Sequence, residues 1–165
     1  MERPDGGGRP VVLYSGNLGY SQGFETLVEA ARSAPELDVR IVGGGNAFGH
    51  VRALAADAGN VSLLPPVPDE AFPALLGAAD IHVVLQRSVS AGANLPSKIA
   101  PYLASGRPIV ASIDPATPAA ELLRASGGAL RVPPEQPAEL AAALRRLADE
   151  PAARERLGRA GRAFA

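Results

Sequence analysis

The sequence predicts an α/β fold in which one parallel sheet of six strands carries helices on both faces. Six short apolar runs of four or five residues recur along the chain. Each is followed by a segment with helical spacing, and parallel strands need such crossovers, which are right-handed. The runs are mostly apolar rather than regularly alternating, as expected of strands covered on both sides.

Taken in order, residues 1–9 hold only Met, Gly, Pro and charged side chains and read as a linker or cloning scar, with the domain occupying 10–165. Val11-Val12-Leu13-Tyr14 is β-branched and apolar and stops at Ser15-Gly16-Asn17, a strand entering a loop. Ser21 is the expected N-cap of a helix with Phe24, Leu27, Val28 and Ala31 on one face. The second strand, 39–42, ends in Gly43-Gly44-Gly45, and an alanine-rich helix over 51–58 is closed by Gly59-Asn60. The alternation continues with strand Val61–Leu64, helix 69–76, strand Ile81–Leu85, helix 97–105, strand Ile109–Ser112, helix 118–125 and strand Ala129–Val132. Helices over 138–148 and 152–160 close the chain. This is a Rossmann-like doubly wound sheet, with expected strand order 3-2-1-4-5-6.

Composition narrows the chemistry. A chain of 165 residues is one domain and buries roughly 70% of its unfolded surface, so its core needs no disulfides. With no cysteine, a thiolate site and a cysteine nucleophile are excluded; with two histidines, neither a multi-histidine metal cage nor another protein-bound metal is expected. Sixteen basic against seventeen acidic residues, net −1, argue against a nucleic-acid binder or a polybasic membrane surface. No apolar run approaches the ~20 residues of a transmembrane helix, and the N-terminus lacks a signal-peptide core, so a cytoplasmic domain is expected.

In such sheets ligands sit beyond the carboxyl ends of the strands, where strand order reverses, here between strands 1 and 4. Three loops therefore carry the candidates. Gly16-Asn17-Leu18-Gly19 could bring backbone N–H groups against a phosphate at a helix N-terminus; equally, glycines there could serve positive φ alone. Gly43-Gly44-Gly45-Asn46-Ala47-Phe48-Gly49 invites comparison with a nicotinamide fingerprint, but that motif belongs to the first strand-to-helix turn and needs a following acidic residue. The third loop, residues 88–96, is long, small and polar, as binding loops are. It leads to Ser97, a potential cap, and Lys98, the only lysine in the chain. A cation at a helix N-terminus opposes the macrodipole, which makes sense if an anion such as phosphate lies between them; the alternative is a solvated surface lysine.

Other polar residues read as structural. His82 lies inside an apolar strand, as a hydrogen-bonded core or strand-face residue, while His50 is expected to be exposed at a helix start. Asp80 reads as a turn or helix-end residue; Asp114, just past the fifth strand on the ligand edge, could touch a substrate, but a turn-forming Asp-Pro is the favoured reading.

Leu13-Tyr14-Ser15-Gly16-Asn17-Leu18-Gly19, Gln22-Gly23 and Ile41-Val42-Gly43-Gly44-Gly45 together resemble the opening of the C-terminal domain of family 4 (group 1) glycosyltransferases. Leu64-Pro65-Pro66-Val67-Pro68, Ala78-Ala79-Asp80-Ile81-His82-Val83, Leu95-Pro96-Ser97-Lys98 and Tyr102-Leu103-Ala104-Ser105-Gly106-Arg107-Pro108-Ile109-Val110-Ala111 follow in family order. The likeness covers residues 10–164 and leans toward the branch that builds bacterial exopolysaccharides of the colanic-acid type.

The resemblance implies the C-terminal half of a GT-B enzyme, which holds a UDP- or GDP-linked sugar while an N-terminal domain holds the acceptor. It implies retaining transfer without a bound metal or other cofactor, with the catalytic residue unassigned, and places the enzyme at the inner face of the membrane through the absent N-terminal domain. It implies that Gly16, Asn17, Leu18, Gly19 and Gln22 lie along the diphosphate. Gly92, Ala93, Asn94, Leu95, Pro96, Ser97 and Lys98 would meet the distal phosphate and sugar, and Gly44, Val67, Asp69 and Pro101 the nucleoside. Arg87 and Arg107 are further candidates for phosphate charge. The family's two basic residues of the first loop fall on Asn17 and Gln22, and its two glutamates eight residues apart on Ala93 and Pro101. These departures motivate a second reading, a degenerate domain that keeps the fold without donor binding. An NAD-dependent oxidoreductase domain and a nucleotide-sugar epimerase are more distant readings of the same architecture. Apolar residues exposed where the partner half would sit would favour a homodimer of the isolated domain.

Overall fold

The computed structural model describes residues 8–88 and 95–165. Its strands are β1 (Val11–Ser15), β2 (Asp38–Val42), β3 (Val61–Leu64), β4 (Ile81–Leu85), β5 (Ile109–Ser112) and β6 (Ala129–Val132). They form one all-parallel sheet in the order β3-β2-β1-β4-β5-β6, the expected doubly wound topology. The helices are α1 (Phe24–Ser33), α2 (Phe48–Ala55), α3 (Phe72–Gly77), α4 (Ile99–Ala104), α5 (Pro118–Ser126), α6 (Pro137–Asp149) and α7 (Pro151–Phe164).

Alternate strand residues enter opposite cores, because side chains along a strand point to opposite faces. Val12 and Tyr14 pack with Phe24, Leu27 and Val28 of α1 and Leu140 and Leu144 of α6. Leu13 points the other way, into a core built from Leu76 of α3, Ile99, Tyr102 and Leu103 of α4, and Leu123 of α5. Every residue of β4 and β5 is buried, which explains why His82 and Ser112 are the only polar residues in these two strands.

Several boundaries differ from the sequence reading. Ser21 does not cap α1; it lies within a 3-10 turn, Tyr20–Gln22, and Gly23, at φ 70°, precedes the helix. The second helix starts earlier, at Phe48, because the turn is closed by Ala47 N–H donating to Leu18 O. Asn60 therefore does not end it. Its Nδ2 instead donates to the carbonyls of Ala31, Ala34 and Leu37 at 2.9, 3.0 and 3.1 Å, tying the end of α1 to the start of β3. The helix expected over 69–76 is a 3-10 turn, Asp69–Ala71, followed by α3. Likewise α4 starts after Lys98, which occupies the N-cap position without a side-chain cap, so Ser97 does not cap it.

Candidate functional site

The two central strands separate as they approach the carboxyl edge. β1 and β4 pair only through Val12↔Ile81 and Leu13↔His82, whereas β1 and β2 stay in register to Ser15↔Val42. Beside that split, over the carboxyl ends of β1, β2 and β3, lies a cleft of about 400 Å³ lined by Ser15, Gly16, Asn17, Gly43, Gly44, Val67, Asp69 and Phe72, among others. A larger hollow of about 560 Å³ lies beside α5 and β6 at the sheet margin. We take the smaller one as the candidate site, because ligands of doubly wound sheets collect at the switch point rather than at the margin.

Lys98 reaches the end of β1. Its Nζ sits 3.5 Å from the centroid of the Tyr14 ring, and a methyl group at Gly16 would come within 3.4 Å of it. The Nζ atom is buried and has no hydrogen-bond partner among the described residues. Burial brings the Lys98 pKa from 10.5 down to about 7. The aromatic face stabilises the ammonium only in part, and its donors meet no acceptor among the described residues.

The glycine loops have a packing explanation. A side chain at Gly43 would run into Gly16 O, and one at Gly45 into Leu18 O, so the loop after β2 lies directly against the loop after β1. Gly16 N–H donates to Val42 O at 3.0 Å and Leu18 N–H to Gly44 O at 2.9 Å, locking the two loops together. Glycine is required at 43 and 45 by close backbone approach, which accounts for these two positions without a dinucleotide fingerprint.

Gly16, Asn17, Gly44, Val67 and Asp69 thus come together around one cleft, with Lys98 at its Gly16 end. The other candidates are placed differently. Leu18 is fully buried and both its backbone groups bond within the fold. Gln22 Oε1 accepts from Gly19 N–H at 2.8 Å, so these two residues brace the first loop. Pro101 is the third residue of α4, where the missing N–H would have had no helical acceptor, and it is not among the residues lining the cleft. Leu95 and Ser97 are exposed and Pro96 accepts a bond from Ile99 N–H. Gly92, Ala93 and Asn94 lie outside the described residues.

Arg87 follows β4 at the carboxyl edge of the sheet, but its guanidinium is engaged: Nη2 meets Glu25 at 2.7 Å, Nε donates to Tyr20 O at 2.8 Å, and Nη1 lies 3.5 Å from Glu135. Arg107 precedes β5, which in an all-parallel sheet puts it at the opposite, amino edge, where it donates to Gly77 O. It cannot reach a phosphate at the cleft, and that expectation is withdrawn. Asp80, at the same amino edge, accepts from Val11 N–H at 2.8 Å. Asp114 accepts from Ala116 N–H in a turn. His50 is half-exposed and bonds Glu25 at 2.7 Å.

Sequence reasoning missed Tyr14 and Tyr102 as parts of this region. Tyr14 donates to Asn17 O at 2.8 Å, and Tyr102 bonds Ser15 from one turn beyond Lys98. A polar-ended aromatic inside an apolar run is the signal that could have found them.

The family model of group 1 glycosyl transferases matches residues 3–164. The chain is 36% identical over 151 residues to the colanic acid biosynthesis glycosyl transferase WcaI of Escherichia coli (strain K12), covering 88% of this chain and 36% of that protein. It therefore spans little more than a third of that relative. Among solved structures, Anabaena Alr3699/HepE in complex with UDP superposes with a TM-score of 0.79 at 19% identity, over 95% of this chain and 43% of that one. The C-terminal domain of a group 1 family glycosyl transferase, LpcC, from Francisella tularensis gives 0.77 at 17% identity, over 95% and 84%. No helix among the described residues is long and apolar enough to cross a membrane. With the family model spanning nearly its whole length and a relative above one-third identity, the chain belongs to the group 1 glycosyl transferases, and its sheet is the Rossmann-like half of a GT-B fold.

Proposed function

We propose that this domain binds the nucleotide-diphosphate sugar of a retaining glycosyltransferase of polysaccharide or glycoconjugate synthesis, with an acceptor domain outside this chain completing the site. The observation that carries the reading is the buried, unpartnered Nζ of Lys98 beside Gly16 at the mouth of the switch-point cleft. A diphosphate would supply the acceptors that Nζ lacks, and Lys98 would stabilise the charge that grows on the leaving group. Gly44, Val67, Asp69 and Phe72 would enclose the nucleoside. UDP in the Anabaena neighbour supports a nucleoside diphosphate as the ligand class. In this reading the donor is the only small molecule the domain needs, the enzyme works in the cytoplasm, and Tyr20 and Leu95, both more than half exposed, face the acceptor half or a second copy.

One observation favours the degenerate reading instead. Gln22, at a position where the family carries positive charge, is engaged in bracing Gly19, so the first loop offers a phosphate no cation of its own. Calorimetric titration of the domain with UDP, GDP and NAD, in parallel on Lys98→Ala, separates the two. Saturable binding of one nucleoside diphosphate, weakened at least tenfold by the substitution, supports the donor reading; no binding of any of them sinks it.

A further inference from the structure

The split between β1 and β4 leaves the end of β1 without a ladder partner on one side, and one side chain replaces it. Ser15 is 2% exposed, so its backbone groups must find partners inside the protein. The hydroxyl of Tyr102 accepts from Ser15 N–H at 2.7 Å, lies 3.2 Å from Ser15 O and 3.1 Å from Ser15 Oγ. Tyr102 is itself fully buried, with its ring stacked on His82 of β4 at 4.2 Å and 13°. Its ring thus rests on β4 while its hydroxyl holds β1, and it bridges the two strands where their pairing ends.

Tyr102 and Lys98 are four residues apart, one turn along the start of α4, and both land on the end of β1. Lys98 meets Tyr14 and Gly16; Tyr102 meets Ser15 between them. We propose that Tyr102 is a positioning residue for donor binding: its hydroxyl holds the β1–β4 split and fixes Ser15, Gly16 and Lys98 in the arrangement that receives a diphosphate. The inference rests on the donor-domain reading above. Tyr102 touches no ligand in this role, so its removal should act on the diphosphate and not on the nucleoside.

The test compares Tyr102→Phe with the unsubstituted chain and with Leu103→Ala. Leu103 lies on the same helix but packs toward Gly128 and Gly161, so its truncation loosens α4 without touching Ser15. Calorimetry with pyrophosphate, with UDP and GDP, and with uridine and guanosine gives the diphosphate contribution separately. Because Lys98 is the only lysine, its side-chain NMR signals report the site without assignment by mutagenesis. The expected result is that Tyr102→Phe weakens pyrophosphate and nucleoside diphosphate binding about tenfold, leaves nucleoside binding unchanged and shifts the Lys98 signals, while Leu103→Ala does none of these. Should Tyr102→Phe not fold, Ser15→Ala removes the Oγ contact and is read by the same comparison. Equal pyrophosphate affinity in the folded variant and the parent, or an equal loss in Leu103→Ala, overturns the positioning role. A parent chain that binds none of the probes overturns the donor reading, and this inference with it.

Discussion

Lys98 places its ammonium 3.5 Å from the centre of the Tyr14 ring, inside the protein, with no carboxylate among the described residues to answer it. A buried cation held only by an aromatic face is an energetic cost in the free protein, and residues that cost stability while facing a cleft are those expected to act on a ligand.

Replacing Lys98 by methionine should therefore stabilise the fold and abolish diphosphate binding. The folded-state pKa, about 7, lies below the unfolded value of 10.5, so between these pH values the unfolded chain holds the extra proton and stability rises with pH. In Lys98→Met that rise is absent. Urea denaturation should find the variant more stable by about 1–3 kcal/mol at pH 7, with the gap closing toward pH 10. A parent protein at least as stable as the variant at pH 7 would show that Lys98 is not strained.

Diphosphate binding should draw in a proton. An anion beside Nζ raises the Lys98 pKa again, so at pH 8 a mostly neutral amine becomes an ammonium as the ligand arrives. Calorimetry in buffers of differing ionisation enthalpy should show uptake approaching about one proton per site at pH 8 and falling toward zero at pH 6. Uptake that is the same at both pH values, or persists in Lys98→Met, would assign the proton elsewhere.

The sheet order and the switch point were legible because six apolar runs, each with a helix after it, admit few other topologies. Lys98 was legible because a lone lysine at a helix start opposes the helix dipole. What the sequence did not reveal depended on distances between segments far apart in the chain. The glycines at 43 and 45 resemble a phosphate loop until the carbonyls of Gly16 and Leu18 are seen against them. Arg107 looked available for a phosphate because its sequence neighbours belong to the family motif, and only strand polarity puts it at the wrong edge. Tyr102 was not legible as part of the site, since no periodicity reveals that its hydroxyl bonds a strand residue 87 positions away.

His82 should set part of the acid limit of stability. Burial, and secondarily the nearby Arg107 charge, hold its pKa at about 3 against 6.5 in the unfolded chain. The unfolded chain thus takes up the proton first as pH falls, so the stability His82 contributes is whole above pH 6.5 and is lost progressively toward pH 3. His82→Phe keeps a ring against Tyr102 and loses the bond from Nε2 to Ser105 Oγ, costing about 1 kcal/mol at pH 7. At pH 4 the order should reverse, the variant being more stable by about 2 kcal/mol. Parallel denaturation curves at both pH values would remove His82 from the acid transition.

Asn60 offers a test of the fold independent of the site. Its Nδ2 faces three carbonyl oxygens where α1 ends and β2 begins, an arrangement that only a donor satisfies. Asn60→Ala should cost about 1–3 kcal/mol, because the carbonyls lose their partner. Asn60→Asp keeps the shape and reverses the polarity, setting carboxylate oxygens against carbonyl oxygens, and should cost more than alanine at pH 7. Below the pKa of the introduced acid, a proton on that carboxyl restores one donor, so the aspartate variant should recover relative to alanine between pH 7 and pH 4. A size effect alone would leave the aspartate variant close to the parent at every pH, whereas donor geometry predicts a penalty that shrinks on acidification.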